Sequence, residues 1–112
     1  MIKNLTQHAP TDAQVGVTAV DEHALEFLNF STPPSVEEIE TRAYAIACRA
    51  NGYASAMIGG APYLMPALVA ALKAVDVQPL FSFTERKSVE RVGLDGSVVK
   101  TSVFAHVAWV AV

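Results

Sequence analysis

Apolar positions along the chain follow two periods, and the switches between them mark out the elements. Ala54 to Ile58 is an uncharged run of strand length that stops at Gly59-Gly60. Leu64, Leu68, Leu72 and Val75 then recur at helical spacing, and Pro62 suits a first helical turn, where its missing N–H costs nothing. This stretch predicts strand, glycine turn, helix. Upstream, Ile2 to Leu5 reads as a short first strand, and Val15 to Val20 fits either a minor strand or an extended loop. Asp21 caps a helix with Ala24, Leu25 and Leu28 facing inward, and Phe30 to Pro34 breaks it. Ser35 and Glu38 form a capping box for a second helix. Its buried face is Val36, Ile39, Ala43, Ile46, Ala47 and Ala50, and Asn51-Gly52 closes it.

Val77 to Phe83 predicts another strand, parallel to 54–58 through a right-handed crossover, with Thr84 to Ser88 as its polar exit loop. Asp95-Gly96, between Ser88–Val92 and Ser97–Val103, is the strongest hairpin signal in the chain, and a two-residue turn there sets Arg91 opposite Lys100. Phe104 to Val112 is nearly all apolar and predicts a central or dimer-covered strand, with Trp109 as the interface marker. The order gives an α/β fold, small and Rossmann-like: a mostly parallel sheet with helices and a C-terminal antiparallel hairpin, in one domain over residues 1–112.

Composition narrows the functional classes. With 112 residues, 52% hydrophobic, the chain can bury a real core. No apolar run reaches the ~20 residues of a membrane span, and the opening residues lack a signal-peptide core, so a cytoplasmic protein with no membrane partner is expected. A single cysteine, Cys48, reads as a small buried helix residue. The net charge of −3 argues against a duplex nucleic acid partner, whereas Arg86, Lys87, Arg91 and Lys100 gather late in the chain and suit a small anion. Glu37, Glu38 and Glu40 open a helix, where the macrodipole favours acids, so they are not read as catalytic. His8, His23, His106 and Cys48 show no ligand spacing, so neither metal nor cofactor is expected. His23 reads as a surface residue and His106 as a satisfied core or interface residue.

Three segments leave predicted parallel strands at one edge: Thr6-Gln7-His8, Gly59-Gly60-Ala61 and Thr84-Glu85-Arg86-Lys87. Hydroxyls, backbone N–H groups and two cations together describe a phosphate- or nucleotide-sized site. Thr11 reads either as a ligand contact or, better, as the cap of a turn containing Asp12 and Gln14. Of the histidines, only His8 follows a strand within a polar loop, which makes it the candidate general acid or base; Arg86 and Lys87 are the candidate stabilisers of a phosphorane.

The segment Asn4-x-Thr6-x-His8 followed by Thr11-x-x-Gln14 resembles the start of small stand-alone proteins of type III CRISPR systems, related to the CARF sensors and ring nucleases. The whole chain also looks like a family of short uncharacterised bacterial and phage proteins, through Met57-Ile-Gly-Gly-Ala-Pro-Tyr-Leu64 and Arg86-Lys-Ser-Val-Glu90. The first resemblance implies a homodimer whose carboxyl-edge loops, with Asn4 among the contacts, bind a cyclic oligoadenylate. A chain this small, with no effector domain, would cleave or sequester that ligand. The rival readings are a non-catalytic protein-interaction module and a small-substrate hydrolase.

Overall fold

The computed structural model describes residues 1–112 as β1 (Ile2–Leu5), α1 (Glu22–Leu28), α2 (Val36–Cys48), β2 (Ser55–Ile58), α3 (Met65–Ala74), β3 (Gln78–Val92) and β4 (Val98–Ala111). The sheet order is β1-β2-β3-β4, with β1, β2 and β3 parallel and β4 antiparallel to β3. This is a mixed α/β fold with an open, mostly parallel sheet, three helices and a C-terminal hairpin. Each crossover steps to the next strand in the same direction, so right-handed connections place all three helices on one face. The core forms there: Leu5, Ala56 and Ile58 from the strands meet Ala24, Leu28, Ala43, Ile46, Ala47, Leu64, Leu68 and Leu72. Each fully buried Leu or Ile side chain contributes about 1.5–3 kcal/mol.

Asp21 ties this layer to the sheet edge. One carboxylate oxygen caps α1 by accepting from the N–H groups of His23 and Ala24, at 3.0 and 3.2 Å. The other accepts from Lys3 Nζ on β1 at 2.9 Å and from Arg49 Nε, just past α2, at 3.1 Å. Burial pushes the Asp21 carboxyl up, but the hydrogen bonds from Lys3, Ala24 and Arg49 outweigh it and hold the group well below the usual carboxylate range.

Several expectations change in three dimensions. Helix α3 begins at Met65 instead of Pro62, after a turn in which Leu64 N–H donates to Ala61 O and Met65 N–H to Pro62 O. The cause is Pro66. In a helix begun at Pro62 it would have to supply the N–H returning to Pro62 O, whereas in the first turn from Met65 it needs none. At α2, Ser35 Oγ accepts from Glu38 N–H, but the Glu38 carboxylate accepts from Arg42, so only half of the capping box forms. Val36 is exposed at the helix start, and Cys48 is exposed because it lies about 200° around the helix from buried Ile46. Residues 15–20 run outside β1, where Val17 bridges to Ile2. His23 is exposed, as expected.

The largest correction concerns the hairpin. Thr84 to Ser88 is no exit loop: β3 runs unbroken to Val92, and Phe104 to Ala111 belongs to the edge strand β4 instead of a central one. The turn is one residue longer than two. Gly93 N–H donates to Ser97 O at 2.7 Å, Gly96 N–H to Gly93 O at 3.0 Å, and Gly96 takes φ +79°, a type I turn with a glycine bulge. The extra residue shifts the register, so Glu90 faces Lys100 and Arg91 faces Val99. The like-charge pair implied by a two-residue turn is thereby avoided. The hairpin extends the molecule to 56 Å along its longest axis, against 33 and 23 Å across. No helix is long and apolar enough to cross a membrane.

Asp21→Asn keeps a capping oxygen but removes the charge that Lys3 and Arg49 meet, and is expected to cost about 1–3 kcal/mol at pH 7. Because the folded-state value is depressed, the wild-type advantage is full above the unfolded carboxylate value near 4 and is lost as pH falls below it. Urea unfolding of both proteins at pH 7 and pH 2.5 checks this: the gap between the two curves should narrow at the lower pH.

Candidate functional site

Ligands of open α/β sheets bind outside the carboxyl ends of the parallel strands, and here that edge holds a cavity of about 370 Å³. Its first wall leaves β1. Asn4 is fully buried, and its Oδ1 accepts from Thr6 N–H at 2.9 Å and from Thr6 Oγ1 at 2.7 Å, while its Nδ2 donates to His8 O at 2.9 Å. The amide bends residues 6–8 into a tight turn that leaves Gln7 and His8 exposed at the cavity. Asn4 itself does not line the cavity; it shapes the wall from behind.

The second wall leaves β2. Continuing the β1–β2 register past Leu5 and Ile58 brings Thr6 beside Gly59, where an added Cβ would lie 3.7 Å from Thr6 Cγ2. Gly60 has φ +145°, which L side chains rarely adopt. The Gly60 N–H donates to no backbone or side-chain acceptor and borders the cavity unpaired, whereas the Gly59 N–H continues the β1–β2 ladder toward Leu5 O. Ala61 lies beyond the cavity lining, in the turn that precedes α3.

Ser82 and Thr84 of β3 supply the third wall, with Met57, Ile58 and Phe81 as apolar floor. Residues 11–14 close the opposite side. Gln14 N–H donates to Thr11 O, and Gln14 Oε1 accepts from Thr11 N–H, so the Gln14 side chain closes this turn and the Thr11 hydroxyl does not cap it. Gln14 Nε2 reaches across to Ser82 Oγ at 3.3 Å.

The structure therefore gathers Thr6, Gln7, His8, Thr11, Gly59, Gly60 and Thr84 at one cavity, and leaves Glu85, Arg86 and Lys87 outside its lining. The last three were expected in a loop, but β3 carries them up the hairpin. Arg86 shares the face of Thr84, about 7 Å further along the strand, with its guanidinium 5.1 Å from the Phe104 ring centroid. Glu85 and Lys87 alternate onto the other face. No lysine or arginine lines the cavity, and His8 is its one titratable side chain. No three His, Cys, Asp or Glu residues gather to hold a metal ion.

Sequence reading passed over Ser82 and the use of Gln14. Ser82 looked like the interior of a strand, and its partner Gln14 is 68 positions away. Only the position of Ser82 near the end of the predicted strand could have signalled it.

The family model for the uncharacterized protein MJ1673 family matches residues 2–110, nearly the whole chain. The chain belongs to that family. The match spans the cavity walls and the hairpin together, so both are parts of the family's domain. No curated protein and no solved structure matches the chain.

Asn4→Leu keeps much of the volume but strands the Thr6 N–H, while the Thr6 hydroxyl keeps His8 O as an acceptor at 3.2 Å. With one buried group left unpaired, a loss of about 1–3 kcal/mol is expected. Gly59→Ala, which adds a methyl at ordinary contact distance without a positive φ, should unfold within about 1 kcal/mol of wild type. Urea titration of both variants checks the contrast.

Proposed function

We propose that the carboxyl-edge cavity binds a small phosphorylated or cyclic nucleotide, and cleaves or sequesters it without a metal. The observation that carries this reading is the convergence of two strand exits and the side of β3 on one cavity, with the unpaired Gly60 N–H at its border. Backbone donors freed by glycines are a common means of meeting phosphate oxygens. The hydroxyls of Thr6, Thr11, Ser82 and Thr84 and the amides of Gln7 and Gln14 suit a sugar or base edge. The volume falls within the ~300–1,000 Å³ range of small-molecule sites. In this reading the three parallel strands and their crossovers form one mononucleotide-binding half of a Rossmann-like fold, in keeping with the resemblance to CARF proteins at Asn4–Gln14.

His8 stands at the cavity mouth and exchanges a proton with a ribose hydroxyl or a leaving oxygen. Arg86 reaches down from the hairpin to phosphate oxygens that protrude from the cavity. Lys87, on the other face, takes no part. Charge stabilisation then comes mostly from neutral dipoles, with one mobile cation above them.

A homodimer accompanies this proposal. β4 is an edge strand of 14 residues with one charged residue, Lys100, and no proline, so it carries little protection against pairing with another strand. Val99, Val103, Phe104, Val107 and Val110 are exposed on it, and a two-stranded ribbon is marginal by itself. A second copy covers this strand. The same surface favours a second reading, a protein-interaction module whose partner is a different chain.

Thermal unfolding against a panel of linear and cyclic ribonucleotides, with product analysis, tests the main reading. A stabilising ligand is expected. If it is cleaved, His8→Ala should lower turnover about 100- to 10,000-fold with affinity within several-fold, while Arg86→Ala weakens both. A panel with no shift would remove the nucleotide reading. Light scattering should give twice the 11.9 kDa chain mass, reverting to one chain in a Val99→Glu, Val107→Glu double variant. A monomeric wild type would remove the dimer.

A further inference from the structure

We propose that Ser82 on the cavity wall and His106, outside the lining but hydrogen-bonded to that serine, form a nucleophile and base pair, and that a bound phosphodiester is cleaved through a phosphoseryl intermediate on Ser82. The inference rests on the cavity being the ligand site, and it assigns bond breaking to two residues that sequence reading left without a role.

Hydrogen-bond directions on this wall follow from one another. Thr11 N–H donates to Gln14 Oε1 at 3.0 Å, which fixes the orientation of that amide, so its NH₂ is the end that meets Ser82 Oγ at 3.3 Å. An amide NH₂ only donates, so Ser82 Oγ accepts there. In the proposed pair Ser82 Oγ donates its proton to its other partner, His106 Nδ1, which then carries no proton of its own. A serine hydroxyl directed at an unprotonated imidazole nitrogen is the arrangement that activates a nucleophile. The Gln14 N–H meanwhile stabilises negative charge on Oγ as the proton leaves.

Backbone irregularity puts His106 where this requires. Ser82 faces Trp109 and Phe83 faces Ala108, but Thr84 faces His106, so Val107 is an extra residue in β4. Without that bulge His106 would oppose Glu85 on the opposite face of the hairpin. With it, the imidazole shares a face with Ser82 and packs against Trp109, with ring centroids 4.4 Å apart and planes at 50°. Across the sheet, the β2–β3 register, extended two residues past Met57 and Leu80, brings Gly59 beside Ser82 on strands about 4.8 Å apart. Gly60, whose N–H meets no protein acceptor, follows directly and supplies a donor for the charge that grows on the phosphoryl oxygens.

In the first step Ser82 Oγ bonds to phosphorus as its proton passes to His106 Nδ1. The bond from phosphorus to the leaving sugar oxygen breaks, and that oxygen takes a proton from His8. In the second step His8 takes a proton from water, the hydroxide oxygen bonds to phosphorus, and Ser82 Oγ leaves with the proton that His106 held. The sum is hydrolysis of a diester to a monoester and an alcohol, with water as the one co-reactant.

A fluorophosphonate, whose phosphorus mimics the diester and whose fluoride leaves, tests the pair on the whole protein by intact-mass spectrometry and peptide mapping. One adduct on Ser82 is expected, absent in Ser82→Ala and formed at least 100-fold more slowly in His106→Asn. An unlabelled wild type, an adduct elsewhere, or wild-type labelling of His106→Asn would overturn the proposal. Should His106→Asn fail to fold, imidazole nitrogen shifts of the wild type decide: an Nδ1–H tautomer overturns it and Nε2–H supports it. Labelling of Ser82 together with no nucleotide response in thermal unfolding would support the pair while removing the nucleotide reading. If a ribonucleotide diester is cleaved, its 2′-deoxy analogue should be cleaved within about tenfold of it. A 2′,3′-cyclic phosphate product would overturn the phosphoseryl route.

Discussion

Asp21 brings three elements to one point. Its carboxylate caps α1, meets Lys3 on β1 and accepts from Arg49 just past α2, with the side chain 4% exposed. A buried carboxylate is costly unless each oxygen is met, and here two backbone and two cationic donors meet it. The helical layer is thereby anchored at β1. That anchoring lets three strands, two of only four residues, form the parallel part of the sheet beside which the cavity opens.

Short parallel strands also explain the site. β1 and β2 end at Leu5 and Ile58, so their next residues are released together at one edge, while β3 continues past them into the hairpin. The cavity is the step between short strands and a long one. Asn4 turns the first released segment, the glycine pair keeps the second open, and Ser82 and Thr84 stand on the strand that goes on. One strand therefore lines the cavity and then carries Arg86 above it.

Much of the fold was legible because local and global preferences agree. The strand at 54–58, the cap at Asp21 and the helical spacing of Leu64, Leu68 and Leu72 each appear where the pattern predicts them. Disagreements arose where two local signals compete. Pro62 and Pro66 both favour a first helical turn, and only the later one leaves the i to i+4 bonds of the helix intact. Asp95-Gly96 suggests a two-residue turn, yet the three-residue alternative pairs Glu90 with Lys100 and parts Arg91 from Lys100. Thr84 to Ser88 is polar because both faces of that ribbon meet solvent, and polarity alone does not separate an exposed strand from a loop.

The sequence by itself determined the three helices, the strands at 2–5 and 54–58, most inward-facing residues of the helices, and the exits after Leu5 and Ile58 that meet at one edge. These depend on period, capping and glycine or proline placement, which act within a few residues. Tertiary structure decided what those residues do. Asn4 became a buried brace through bonds to residues 6 and 8, and Arg86 and Lys87 left the cavity because β3 does not stop. Gln14, Ser82 and His106 lie far apart in the chain, and a single extra residue in β4 chooses the face on which His106 stands. Registers and bulges of this kind depend on the sum of contacts across paired strands, and no local pattern along one strand carries that information.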